Sequence, residues 1–304
     1  MNVYFLGEHI KKQREKLGLT QEQVCAGICE QVTLSRLENG RQTPSRTRVN
    51  AILQRLGLPE DRYYMLLTKN ELEIEALKKE IVACNALDRA EEGFVKLEQL
   101  EKLVDPEDTL ERQFILRSKA LLGCLDGRYS KEEKRELLLQ ALRLTIPDFD
   151  LEKIGAHLYT VDEMKLINQI AGVYSDLGQN EKAAEIFAQL LNYVQMHQQE
   201  AVISSGMLSM VLGNYARVLD LCGKYQEAVD YAQQGIEACV RYGHYQMLYA
   251  CLAIQAESYH FLKQDAKSAE AYHEAYYLCK VIGRKEPLFA IREEAKKYLG
   301  IELP

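Results

Sequence analysis

The stretch 173–191, "VYSDLGQNEKAAEIFAQLL", superposes without a gap on 218–236, "VLDLCGKYQEAVDYAQQGI", and the pair decides the fold. Gly178 falls on Gly223, Ala183 on Ala228 and Leu190 on Gly235. In each copy an apolar run reaches a Gly, a short polar turn follows, and a second periodic run opens with a small residue. Two helices joined by a tight turn produce that pattern. A third stretch, 258–276, "SYHFLKQDAKSAEAYHEAY", continues the series with one extra loop residue, bringing Ala269 onto Ala228. Repetition at a spacing near 40 residues predicts stacked helical hairpins, each burying a face that its neighbours complete. Ala183 and Ala228 sit where two helices approach closely and a larger side chain would overpack the contact.

Outward from this core the rest of the chain also reads as helix. Among 304 residues there are six Pro and 18 Gly, strand-like alternation is nearly absent, and Leu, Ala, Glu, Lys and Gln fill periodic segments. Two further hairpins are expected at about 71–104 and 108–145. The first 66 residues parse differently, into five short helices at about 5–17, 21–28, 31–38, 46–56 and 60–67. Thr20 with Gln23 fits a capping box on the second. The expected organisation is therefore a head, 1–66, and a repeat domain, 67–304.

The repeats resemble tetratricopeptide repeats, with an aromatic in the first helix (Tyr174, Tyr259), Gly before the turn, Ala opening the second helix and Phe187 four residues on. The consensus Trp is absent, since the chain has no Trp. That likeness implies an all-α fold in which the repeats form a right-handed α-solenoid.

Composition narrows the function. Hydrophobic residues at 47% mark a globular chain, and no window approaches 18 uninterrupted apolar residues. With no export signal before the first basic residues, a cytoplasmic protein is expected, with no membrane partner. The net charge of −7 hides an asymmetry: residues 1–66 hold ten Lys/Arg against seven Asp/Glu, and the remainder 28 against 38. Only the head offers a surface suited to phosphate. The eight Cys form no Cys-x-x-Cys pair and read as reduced core thiols; Cys25 and Cys29, four apart, have no His at ligand spacing, so no metal is expected.

In the head, "LTQEQVCAGICEQVTLSRLENGRQTPS" (19–45) looks like the helix-turn-helix of the phage-repressor (XRE) family, on Leu-Thr-Gln-Glu and Leu-Glu-Asn-Gly together. Its turn is one residue shorter than usual, and "GIC" there resembles the Rgg and PlcR (RRNPP) group of peptide-sensing regulators. Val24, Ile28, Leu34 and Leu37 can face a small core, which leaves Gln31, Val32, Ser35 and Arg36 on the outer side of the third helix. The resemblance implies that this face enters the major groove, where Gln suits adenine, Arg guanine, and Val a thymine methyl. Gln21, Asn39, Arg41, Arg46 and Arg48 flank it as phosphate contacts. Glu38 would repel phosphate if it pointed outward; the resemblance pairs it with Arg14.

A stack of hairpins leaves a concave groove lined by the first helix of each pair. The alignment places Lys165, Asn168, Gln169, Gly172 and Asp176 there in one repeat, and Met210, Gly213, Asn214, Arg217 and Leu221 in the next. An Asn amide donates and accepts, so Asn168 and Asn214 can hold a peptide backbone, and Arg217 a terminal carboxylate. Gln255 or Ile254 is the equivalent position in the last repeat. No phosphate loop, His-Glu-x-x-His or nucleophile elbow is present, so neither an enzyme nor a cofactor is expected. Asp148 and Asp150 read as a helix N-cap. The resemblance implies a homodimer that binds an inverted-repeat operator in double-stranded DNA and a short signalling peptide. The alternative is a helix-turn-helix repressor or adaptor whose repeats bind a protein partner.

Overall fold

The computed structural model describes residues 6–58, 69–197 and 200–304, and all regular structure among them is helical. The head contains α1 (Leu6–Lys16), α2 (Gln21–Cys25), α3 (Gln31–Glu38) and α4 (Arg46–Arg55). The expected fifth helix, 60–67, and the boundary after residue 66 lie outside the described residues. Thr20 caps α2: its Oγ1 accepts from Gln23 N at 3.1 Å while its own N–H donates to Gln23 Oε1 at 2.8 Å. α2 stops at Cys25, short of the expected Ile28, because the chain turns at Gly27 with φ +69°. A side chain at Gly27 would place Cβ 2.1 Å from the carbonyl oxygen of Thr145, so only Gly lets this turn approach the repeat domain.

Val24, Ile28, Leu34 and Leu37 are buried with Ile10, Val49 and Ile52 in one head core. The α1–α3 crossing is close, since a Cβ on Gly7 would lie 1.8 Å from the Leu37 carbonyl oxygen. That approach fixes the C-terminal end of α3 against α1.

The hairpins follow as α5 (Lys69–Ala86) with α6 (Ala90–Leu103), and α7 (Thr109–Leu125) with α8 (Lys131–Arg143). Next come α9 (Val161–Asp176), α10 (Asn180–Met196) and the short α11 (Glu200–Ser204). The chain ends with α12 (Met207–Leu221), α13 (Tyr225–Tyr242), α14 (Leu248–Phe261), α15 (Asp265–Ile282) and α16 (Lys285–Leu299). It divides into two compact units, one with the head and α5–α9, the other with α10 and α12–α16. Asp148 and Asp150 do not cap an α-helix; Asp150 Oδ1 accepts from Glu152 N at 3.0 Å in a turn.

In the second unit Ala183 and Ala228 are fully buried, as close helix packing requires. The expected extra loop residue in the last repeat is not there. α13 begins at Tyr225 and α15 at Asp265, so Lys263 takes the place of Gly223 and adopts its left-handed backbone, φ +61° against +73°. Ser268, not Ala269, then occupies the position of Ala228. It is fully buried, and its hydroxyl donates to Ala256 O at 2.6 Å.

Candidate nucleic-acid interface and ligand groove

The outer face of α3 carries Gln31, Val32 and Arg36 exposed, with Ser35 half-buried beside them. Val32 is 54% exposed, an apolar side chain left bare on a polar helix. Its opposite face, Leu34 and Leu37, is locked into the core. Glu38 is buried rather than outward. Arg14 grips it with both ends of its guanidinium, Nε to Oε1 at 2.6 Å and Nη2 to Oε2 at 2.9 Å, and donates Nη1 to Leu19 O at 3.0 Å. A bidentate pair of this kind fixes direction as well as charge. It ties α1, the start of α2 and the end of α3 into one rigid corner.

The flanking residues divide. Gln21 turns its amide to Glu38 Oε2 at 2.8 Å, and so completes the buried cluster with one N–H used. Asn39 donates to Ser35 O at 2.7 Å at the end of α3, and Arg41 is exposed. Arg46, at the start of α4, is half-buried. Arg48 departs from the expectation of a phosphate contact: it donates to Asp108 Oδ2 at 3.0 Å, in the repeat domain.

On α9 the expected groove residues are engaged with their neighbours. Asn168 is buried, Gln169 accepts from Arg117 Nε at 2.9 Å, and Lys165 pairs with Asp162 at 3.0 Å. Gly172 is half-buried and Asp176 exposed, its carbonyl accepting from Lys131 Nζ at 2.6 Å.

Within the second unit, α12, α14 and α16 line an open cavity of about 240 Å³. Gly213, Asn214 and Arg217 line it from α12, Ile254 and Glu257 from α14, and Ile291 and Glu294 from α16. Ile254 is therefore the counterpart of Asn214; Gln255 turns away, donating to Val229 O at 3.3 Å and Gln233 Oε1 at 3.1 Å. Arg217 is not waiting for a carboxylate. Its Nη1 lies 2.5 Å from Glu257 Oε2 and 3.7 Å from Asp220 Oδ2. Asp220 accepts from Ser258 Oγ at 2.6 Å, yet burial, reinforced by Glu257, pushes its carboxyl up to about 6.

Residues 6–63 match a helix-turn-helix domain, and residues 100–299 match the RNPP family C-terminal domain. The chain belongs to the RNPP family. Its family is one of regulators and not of enzymes. Among solved structures, Bacillus thuringiensis PlcR in complex with the peptide PapR7 and DNA matches at TM-score 0.62 and 22% identity, covering 96% of this chain and 99% of that one. The apo form of ComR from S. thermophilus matches at 0.51 and 16%, over 96% and 98%. The Streptococcus dysgalactiae SHP pheromone receptor Rgg2 matches at 0.52 and 14%, over 97% and 100%. At these identities the likeness is one of fold. No curated protein sequence matches. Among the described residues no helix is long and apolar enough to cross a membrane.

Sequence reasoning missed how this RNPP chain joins its head to its first repeats. Arg55, fully buried at the end of α4, donates to Val24 O, Ala26 O and both oxygens of Glu163, the last at 3.2 and 3.3 Å. Glu163 also caps α9, accepting from Thr160 N at 2.6 Å. Asp108, the partner of Arg48, likewise caps α7 through Leu110 N and Glu111 N. Thus two head arginines neutralise carboxylates that already bind helix N-termini. The signal in the sequence was only a Thr-x-x-Glu box before α9, which reads as a cap and says nothing of a distant Arg.

Proposed function

We propose that the chain is a sequence-specific DNA-binding transcriptional regulator whose repeat domain binds a short signalling peptide, as PlcR binds PapR7 and DNA. The observation that carries the reading is the bare α3 face, Gln31, Val32, Ser35 and Arg36, held outward by a buried Arg14–Glu38 pair. A helix anchored so firmly on one side, with polar groups and an exposed Val on the other, suits base edges and a thymine methyl. Arg41 and Arg46 supply phosphate contacts, with Asn39 and the second amide hydrogen of Gln21. Asn214 in the cavity of the second unit holds peptide backbone. A cytoplasmic homodimer would present two heads to an inverted repeat.

Peptide must favour one arrangement of the paired heads, because a ligand indifferent to both shifts nothing. Mass spectrometry of peptides released from the chain purified from its own cells tests this reading. One short peptide species at near-stoichiometric yield, restoring the DNA-binding response when added back, is expected. A co-purifying protein in place of any peptide would overturn the peptide half and favour a protein-binding adaptor.

A further inference from the structure

The cavity of the second unit has an unmatched negative charge. Its walls are mainly apolar, from Met247, Tyr249, Ala253, Ile254 and Ile291. Two carboxylates line it, Glu257 and Glu294, against one guanidinium, Arg217. That guanidinium is shared already between Glu257 and Asp220. Glu257 is satisfied on its other oxygen as well, accepting from Tyr298 OH at 2.9 Å. Glu294 differs. It is half-buried, lines the cavity, and among the described residues no hydrogen bond or ion pair reaches it.

Of the two cations whose charge acts on Glu294, Arg217 is the one already shared between Glu257 and Asp220. Lys297, whose Nζ donates to Tyr298 OH at 3.1 Å, is the other cation near the group, and its side chain is exposed. Burial, then Glu257, raises the Glu294 carboxyl above its ordinary value. A carboxylate in apolar surroundings is costly until a charged donor reaches it.

Building on the peptide reading, we propose that this cavity is a subsite for a cationic group of the peptide, an ammonium or guanidinium set against Glu294 beside an apolar side chain packed on α14 and α16. At about 240 Å³ the cavity is below the ~300–1,000 Å³ of a drug-sized site, which suits one anchor residue and not a whole ligand. The cation has two sources, the peptide's N-terminus or a Lys or Arg side chain. Asn214, on the same wall, is placed to take the adjoining backbone amide.

The test is affinity selection of a positional-scanning heptapeptide library on the purified full chain, supplied once with free and once with acetylated N-termini. Enrichment of about tenfold or more for Lys or Arg at one position assigns a side chain, and the same preference for free over acetylated peptides assigns the N-terminus. Glu294→Gln should retain peptides but lose that preference, and Glu294→Lys should turn it toward Asp and Glu, both with the helical circular dichroism of the parent. Peptides retained without charge preference, an acidic preference in the parent, or a preference unchanged in either variant would overturn the cation subsite and leave the peptide reading standing. Retention of no peptide at all would overturn both.

Discussion

Arg36 and Arg41 are exposed cations five residues apart, yet they sit in different mechanical settings. Arg36 projects from the outer face of α3, whose inner face is locked in the core, whereas Arg41 follows the turn at Gly40, φ +67°. Arg36→Ala should relax base preference at one position per half-site at a cost of about 1–3 kcal/mol, while Arg41→Ala should weaken all sequences alike and lower the salt slope by about one. Ranking a randomised duplex library on both variants separates them; an unchanged ranking for Arg36→Ala would remove it from base reading. Arg14 makes a different kind of contribution. Its truncation to Ala strands a buried Glu38 carboxylate with only the Gln21 amide, and should cost the head roughly 3–5 kcal/mol, read as a loss of urea midpoint. At this scale the sequence was informative where residue type and chemistry coincide: an acidic residue on a phosphate-facing helix demands a partner. It misassigned Arg48 to phosphate and was silent on Arg55, because their partners at 108 and 163 are distant in sequence.

Helices and their turns were legible where Gly or a cap marks them, as at Thr20–Gln23 and Gly178. They were misread where another residue does the same work. Lys263 holds the left-handed turn that Gly223 holds one repeat earlier, and an alignment that seeks Ala where Ser268 stands inserts a residue to bring Ala269 there. Lys263→Gly should relieve that backbone and raise stability by about 1 kcal/mol, seen as a higher thermal midpoint. The groove was legible as a face of α12, but not the charges that α14 and α16 bring to it. Asp220 illustrates the consequence. In the unfolded chain a carboxyl titrates near 4, and in the fold Asp220 titrates at about 6. Above pH 6 the native state holds this buried charge at a cost, and the cost fades as pH falls through 6 toward 4. Asp220→Asn, which can still accept from Ser258, should therefore stabilise the chain by roughly 2–3 kcal/mol at pH 8 and by little at pH 4. Equal gains at both pH values would show that Asp220 carries no such cost.

The head and α5–α9 form one compact unit, joined by arginines that end on carboxylates capping the N-termini of α7 and α9. A change in those helices thus reaches α4 through these two ion pairs, of which Arg55–Glu163 is fully buried. The outer face of α3 is exposed at Gln31, Val32 and Arg36. Both features are those of a DNA reader whose head is positioned by its repeat domain. Selection of a random duplex library on the full-length chain tests that central claim most directly. The account predicts one enriched motif, an inverted repeat with half-sites about one helical turn or a multiple apart. Recovery of no motif, or of one isolated half-site bound at full affinity, would contradict it.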